Sequence, residues 1–150
     1  MMQLSRILMA LTLGLGIGLS MASGQARAQE RPLVVVELFT SQGCSSCPPA
    51  DALLARLAQR DDVLALSMHV DYWDYIGWPD TFAQPKNTER QKAYAHAAGM
   101  RSIYTPQMII AGKDHVIGSK PMDVVDYIEM SRAAPARVEM TAALTDGVLR

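Results

Sequence analysis

The sequence has little of several things that define common protein classes. Its 150 residues include only two cysteines, two tryptophans and two phenylalanines. The 14 basic and 15 acidic residues give a formal net charge of −1, which argues against a nucleic-acid partner because such proteins normally present a basic face. A glycine-rich phosphate-binding loop, an internal repeat and a low-complexity segment are also absent. Apolar residues at 49% and charged residues at 19% instead indicate a globular chain with one proper core.

The first 28 residues have the pattern of a secretory signal peptide. Arg6 provides a positive charge, residues 7–19 are apolar, and the A-x-A sequence at residues 26–28 predicts cleavage before Gln29. A membrane anchor is the alternative, but the apolar run is shorter than the roughly 20 residues that a span needs, and glycines interrupt it. We therefore predict a signal peptide over residues 1–28, a periplasmic or secreted location, and no stable membrane span after cleavage.

The only two cysteines, Cys44 and Cys47, stand in a Cys-x-x-Cys spacing. The apolar run 33–39 before them predicts a buried strand, and the run 50–58 after them predicts a helix with one apolar side. A cysteine at a helix N-terminus ionises more easily because that end favours negative charge. Two such thiols can exchange electrons as dithiol and disulfide. The pattern favours redox chemistry, with a static structural disulfide and a metal site as alternatives.

The rest of the chain predicts a second strand, a helix, a hairpin and a last helix. Strand 63–70 completes a βαβ unit, so it should run parallel to the first strand. The next helix is expected to begin at Thr88, which forms a capping box with Gln91, and to stop at Gly99. The other predicted elements are strands 108–111 and 115–118 around a turn at residues 112–114, a helix 121–130, and a strand 137–144 before a hairpin turn at Asp146-Gly147.

Glu37 is an anomaly because it is a carboxylate inside the apolar first strand. A buried carboxylate has a raised pKa and could move protons for a nearby thiol. The alternative is an acid near a strand end that has a salt-bridge partner. Buried acids are rare without a partner or a role, so the sequence leaves both interpretations open.

Aromatic residues concentrate in the stretch 71–82, which holds five of the nine in the chain. The stretch directly follows a predicted strand and includes Trp73 and Trp78. Aromatic rings on loops serve as recognition surfaces, although they also simply pack on the domain. Asp71 and His69, at the start of this stretch, are candidate supporting groups for a thiol site, but a lone histidine in a strand is more often structural.

The order of the predicted elements, with Cys-x-x-Cys after the first strand, resembles the thioredoxin fold. Residues 99–106, Gly-Met-Arg-Ser-Ile-Tyr-Thr-Pro, look like thioredoxin's Gly-x-Arg-x-Ile-Pro segment with one or two residues added. The resemblance implies a cis proline at Pro106, a substrate-aligning role for Thr105 and Pro106, and a position for Glu37 close to that of thioredoxin's buried aspartate. The departures are Gly43 before the first cysteine, Ser45-Ser46 between the cysteines, and Pro48 after them. Thioredoxin's nucleophile pKa and redox potential therefore do not transfer.

A closer resemblance rests on three segments. Residues 37–51, 69–74 and 104–107 look like the secreted bacterial thioredoxin-like family catalogued as domain of unknown function 1223. Members of that family have no settled activity, so the resemblance implies the fold more strongly than the reaction. They also continue into a further β-rich region, which implies that residues 137–150 begin a C-terminal β extension and that more chain follows.

We therefore predict an α/β, thioredoxin-like domain over residues 31–132, with a central mixed sheet flanked by helices. The first functional hypothesis is an exported thiol-disulfide oxidoreductase that needs no cofactor and no metal and acts on a thiol- or disulfide-containing protein or small molecule. Its predicted site residues are Cys44 as nucleophile, Cys47 as resolving thiol, Glu37 as proton acceptor, and Thr105, Pro106, Trp73 and Trp78 as substrate contacts. The alternatives are a copper-handling module that adds His69 to the two cysteines, and a non-catalytic binding module with a structural disulfide.

Overall fold

The computed structural model describes residues 33–135, 144–145 and 147–149. The strands are β1 (Val34–Thr40), β2 (Val63–His69), β3 (Gln107–Ile110) and β4 (Asp114–Ile117), and the helices are α1 (Pro48–Leu57), α2 (Pro85–Ala97) and α3 (Pro121–Ala133). The four strands form one mixed sheet in the order β2-β1-β3-β4. Strand β1 runs parallel to β2 and antiparallel to β3, and β3 runs antiparallel to β4. The predicted α/β fold class is confirmed, and the arrangement is consistent with a thioredoxin-like fold.

Strand β1 is buried on both faces of the sheet, as its almost continuous apolar sequence predicts. Alternate side chains, Val34, Val36 and Leu38, enter the larger core, which also contains the buried sides of α1 and α3. Phe39 points to the other face and packs with Val70 and Ile109 in a smaller core. The C-terminal end of β1 is therefore fixed from both sides, and the chain that leaves it towards the cysteines starts from a rigid support.

Helix α2 begins one turn earlier than the capping box predicts, so that prediction is wrong. Pro85 occupies the first turn, where a missing N–H costs nothing. Thr88 therefore lies inside the helix, and its hydroxyl donates a hydrogen bond of 2.5 Å to the Asp71 carboxylate instead of capping the helix. The predicted stop is confirmed, since Gly99 follows the helix with a φ of 66°.

The turn between β3 and β4 lies one residue earlier than predicted. Ala111 and Gly112 both have positive φ, 50° and 71°, and Lys113 N–H donates to the Ile110 carbonyl across the turn. Two successive positive φ values are typical of the tight hairpin turns whose twist matches that of the strands. Ala111 thus adopts a conformation that ordinarily favours glycine.

Two strands, β5 (Leu144–Thr145) and β6 (Val148–Leu149), form an antiparallel hairpin with Gly147 in its turn at a φ of 78°. The predicted turn at Asp146-Gly147 matches this hairpin. Most of the predicted strand 137–144 and all of the predicted signal peptide lie outside the described residues. Among the residues that the structure does describe, no helix is long and apolar enough to cross a membrane.

An ion-pair cluster joins the turn after α1 to helix α3. Arg60 donates to the Asp62 carboxylate at 2.8 Å and to Glu129 at 2.9 Å. Arg132 lies 3.1 Å from Asp62 through its Nε atom. The hydrogen bond from Arg60 lowers the pKa of Asp62 to about 2.

Candidate thiol site

Cys44 and Cys47 form a disulfide in the connection between β1 and α1, with their Cα atoms 5.4 Å apart. Cys47 is the N-cap of α1, and its carbonyl accepts the N–H groups of Ala50 and Asp51. Cys44 lies outside the helix, and its carbonyl accepts the Cys47 N–H. Both cysteines are buried, with 2% of Cys44 and none of Cys47 exposed. The helix N-terminus therefore faces the disulfide, as the sequence predicts.

Three successive backbone N–H groups before the disulfide, those of Gln42, Gly43 and Cys44, are hydrogen-bonded. Gly43 N–H donates to the Ser41 hydroxyl at 3.0 Å, and Cys44 N–H donates to the Ser41 carbonyl at 3.1 Å. The remaining group, Gln42 N–H, donates to the Asp80 carboxylate at 2.8 Å. The loop is thus fixed by its own atoms together with one contact from a residue 38 positions away.

The segment before β3 lies at the same edge of the sheet. Phe39 pairs with Gln107, so Pro106 is level with the end of β1. The Thr105–Pro106 peptide is cis, as the resemblance implies. Gly118 packs closely here, because a Cβ atom on it would lie 3.3 Å from Pro106 Cβ and 3.1 Å from Ala50 Cβ. Pro106 is therefore close to the first turn of α1, the turn that Cys47 caps.

Trp73 joins this segment to the loop that carries Cys44. Its indole N–H donates to the Thr105 hydroxyl at 2.8 Å. A Cβ atom on Gly43 would lie 3.1 Å from Trp73 Cβ and 2.8 Å from Ile76 Cδ1. The aromatic stretch therefore does border the thiol site on one side, through Trp73 and Ile76.

Trp78 is placed differently from Trp73. It is 48% exposed, and the described residues give it no hydrogen bond or aromatic ring contact. The described contacts link the loop of Cys44 and Cys47 with Thr105, Pro106 and Trp73, and none of these contacts involves Trp78. A contact between Trp78 and a substrate stays a prediction.

Glu37 is buried, with 2% of the residue exposed, and has two partners. Its carboxylate accepts hydrogen bonds from Arg90 Nε and from the Tyr94 hydroxyl, each at 2.6 Å. Burial and the Glu37 carboxylate raise the pKa of Tyr94 to about 12. Glu37 pairs with Ile109 across the sheet and so faces the smaller core, towards α2. The structure thus provides the salt-bridge partner of the second interpretation, and a role of Glu37 in proton transfer stays a prediction.

Asp80 is a site residue that sequence reasoning missed. It is only 5% exposed, yet its carboxylate accepts hydrogen bonds from Gln42 N–H and Phe82 N–H and contacts His69 Nδ1 at 2.6 Å. Burial alone would raise the pKa of Asp80, but the hydrogen bonds from His69 and the two backbone groups lower it. No spacing signal marks this pair, because a loop of ten residues separates Asp80 from His69 in the sequence.

Gln91 is a second residue that the sequence did not reveal as part of the site. It is completely buried, and its amide donates to the Tyr104 carbonyl at 2.7 Å and to Gln107 Oε1 at 2.8 Å. The Tyr72 hydroxyl donates to Gln91 Oε1 at 3.2 Å. Helix α2 therefore holds both the aromatic stretch and the segment before Pro106. Gln91 could have been identified only if this face of α2 had been known to be buried. The polar sequence of the helix does not indicate that burial.

A copper site receives no support from these contacts. Within the described part of the chain, no group of three or more histidine, cysteine or acidic residues is arranged to hold a metal ion. His69, the proposed third ligand, is bound to Asp80.

Comparison with known proteins agrees with the resemblance seen in the sequence. The model of a family described as a protein of unknown function, DUF1223, matches residues 35–149. The crystal structure of a protein from Agrobacterium tumefaciens is 52% identical and superimposes with a TM-score of 0.65, over 69% of this chain and 46% of that one. The chain thus spans slightly less than half the length of this relative. No curated protein matches. The chain belongs to the DUF1223 family.

Proposed function

We propose that this chain is an exported thiol-disulfide oxidoreductase that acts through Cys44 and Cys47. The observation that carries the proposal is the position of the disulfide. It lies at the N-terminus of α1, next to the loop that Trp73 joins to Thr105. A helix N-terminus stabilises a thiolate, and Thr105, which is half-buried beside the buried Pro106, leaves a polar edge along which a substrate could align.

The reaction of the reduced protein starts from the Cys44 thiolate. It attacks one sulfur of a substrate disulfide, so that a mixed disulfide forms and the other substrate sulfur leaves as a thiolate that takes up a proton. The Cys47 thiolate then attacks Cys44 Sγ and releases the second substrate thiol. The substrate gains two electrons, and the protein ends with its Cys44–Cys47 disulfide, which an external dithiol reduces again. The same steps in reverse oxidise a substrate dithiol.

The location and the partner belong to the same proposal. The signal-peptide pattern of residues 1–28 supports a periplasmic or secreted protein. A nearby cysteine pair in such a compartment tends to be a disulfide unless a partner reduces it. The partner is therefore a protein or small molecule that carries a thiol or a disulfide.

The burial of both cysteines favours a second candidate function. A sulfur that is covered on all sides exchanges slowly, and a disulfide that only fixes the turn before α1 would suit a non-catalytic binding module. The two candidates differ in whether a substrate sulfur can reach Cys44 in the folded protein.

A trapping experiment distinguishes them. Reduced Cys47→Ser and Cys44→Ser variants are incubated with glutathione disulfide under native conditions and analysed by intact mass. We expect a stable mixed disulfide on Cys44 in the Cys47→Ser variant and a much slower reaction of the Cys44→Ser variant. Trapping only in the Cys44→Ser variant would reverse the two roles. An absence of trapping in both variants, with rapid reaction after addition of urea, would favour the structural disulfide.

A further inference from the structure

We propose that His69 and Asp80 are positioning residues for Cys44, and that the charge on His69 adjusts the reactivity of the Cys44 thiol. The proposal deepens the function proposed above and rests on it, because it concerns how that thiol site is regulated. It assigns a role to a pair of side chains that the exchange reaction itself does not use.

The geometric basis is the bond between Asp80 and the loop that carries Cys44. Asp80 Oδ2 accepts the Gln42 N–H at 2.8 Å and contacts His69 Nδ1 at 2.6 Å. Gln42 is two residues before Cys44, a length of chain that spans at most about 7 Å. The N–H groups of Gly43 and Cys44 bond within the loop, whereas that of Gln42 bonds to Asp80, 38 positions away.

The same carboxylate also fixes the far end of the aromatic stretch. Asp80 Oδ1 accepts the Phe82 N–H at 2.9 Å, and the Phe82 ring contacts His69 in a tilted arrangement with the ring centroids 5.4 Å apart. The Asp80 N–H donates to Asp74 Oδ1 at 3.1 Å. One buried carboxylate therefore connects the thiol loop, the end of β2 and the stretch that carries Trp73.

The charged groups that the described contacts place near the imidazole of His69 are carboxylates. Asp80 contacts it directly and Asp74 lies behind Asp80. On the sheet side, Thr40 pairs with His69 and donates its hydroxyl to Asp51 on α1. The nearest part of α2 contributes the uncharged Asn87, which donates to the His69 carbonyl. The side chain of His69 is 20% exposed, so a proton can reach it from solvent.

The charge of the pair changes with the protonation of His69. Histidine is the side chain that ordinarily changes charge between pH 5 and 8. When His69 is protonated, it neutralises Asp80, and this carboxylate then adds no net negative charge next to the loop that carries Cys44. When His69 is neutral, Asp80 leaves one negative charge there, which disfavours the thiolate. At acidic pH, Cys44 should therefore react faster in wild type than in a variant that lacks His69.

The test measures the alkylation rate of Cys44 by iodoacetamide in the reduced full chain at pH 6 and pH 8. In His69→Gln, the charge on Asp80 is never neutralised, so we expect a rate about threefold below wild type at pH 6 and a smaller difference from wild type at pH 8. In Asp80→Asn, the amide oxygen still accepts the Gln42 N–H but the charge is gone, so we expect a rate about threefold above wild type at pH 8. His96→Gln, which changes an exposed histidine on α2, is the matched control and should follow wild type.

Thermal melting of each reduced variant shows whether it is folded, and His69→Gln decides the question alone if Asp80→Asn unfolds. Rates of folded His69→Gln that equal those of wild type at both pH values would overturn the proposal. A uniform change at both pH values would also overturn it, because that result indicates a purely structural role. The alkylation rates do not depend on substrate turnover. A protein that fails the trapping experiment but shows these rates would therefore contradict the proposed function and not this inference.

Discussion

The indole N–H of Trp73 donates a hydrogen bond of 2.8 Å to the hydroxyl of Thr105, the residue before the cis proline. The two residues are 32 positions apart in the sequence. The Cβ atom of Trp73 also lies next to Gly43, the neighbour of Cys44. A single side chain thus connects the loop that carries Cys44 with the Thr105–Pro106 segment.

Replacing Trp73 by phenylalanine should weaken this connection. The variant loses the donor to Thr105, and we expect a loss of about 1 kcal/mol in the free energy of unfolding together with a several-fold slower exchange with glutathione disulfide. Reduction should also change the fluorescence of wild type, because a disulfide close to an indole quenches it. That change should disappear in Trp73→Phe and remain in Trp78→Phe, the matched control. A response that disappears only in Trp78→Phe would contradict the placement of Trp73.

A methyl group on Gly43 should disturb the same contact. In Gly43→Ala the new Cβ atom would lie 2.8 Å from Ile76 Cδ1 and 3.1 Å from Trp73 Cβ. Because Ile76 is 42% exposed and its Cδ1 atom can move aside, we expect a loss of about 1 kcal/mol in stability, measured by urea unfolding of the oxidised protein. The double variant with Ile76→Val, which lacks Cδ1, should recover part of this loss. Additive effects of the two substitutions would argue that the aromatic stretch does not cover the loop.

Glycine at position 111 should stabilise the protein. Ala111 has a φ of 50° on an exposed turn, where alanine is strained and glycine is not. Glycine is more flexible than alanine in the unfolded chain, which offsets part of the relieved strain. We expect Ala111→Gly to raise the free energy of unfolding by about 0.5–1 kcal/mol. Ala111→Val should lose stability instead, because a β-branched residue tolerates positive φ poorly. Equal melting temperatures of the three proteins would contradict the turn geometry.

Acid should remove the stability that Asp62 provides. Its pKa in the folded protein is lowered to about 2 from a reference value of 3.8, so its contribution is present above about pH 4 and is lost as the pH falls towards 2. Asp62→Asn should lose about 1–2 kcal/mol at pH 7 and show a weaker decline between pH 4 and 2. Asp126→Asn, an exposed change on α3, serves as the control. Parallel pH profiles for wild type and Asp62→Asn would contradict the ion-pair cluster.

The elements that could be predicted are those whose pattern is local. The apolar run of β1, the one-sided apolar residues of α1 and the turns at Gly112 and Gly147 depend on neighbours within a few positions. The predicted start of α2 was wrong because two local sequence signals, a proline and a capping box, indicated different first residues. Pro85 in the first turn determined the start of the helix, and the hydroxyl of Thr88 was used by Asp71.

The parts of the site that could not be predicted depend on long-range contacts between polar side chains. Asp80 reaches Gln42 over 38 positions, and Glu37 reaches Arg90 over 53. Gln91 is buried although the sequence of α2 is polar. Hydropathy patterns do not identify such residues, because their burial is compensated by hydrogen bonds that only the folded chain brings together.

The reduction potential of the Cys44–Cys47 disulfide tests the central claim most directly. The oxidised chain is equilibrated with defined ratios of reduced and oxidised glutathione or dithiothreitol, and the fraction of free thiols is measured by alkylation and mass. An exchangeable disulfide of an oxidant or isomerase should have a potential above roughly −230 mV. A potential below about −300 mV would indicate a structural bond and would contradict the oxidoreductase function.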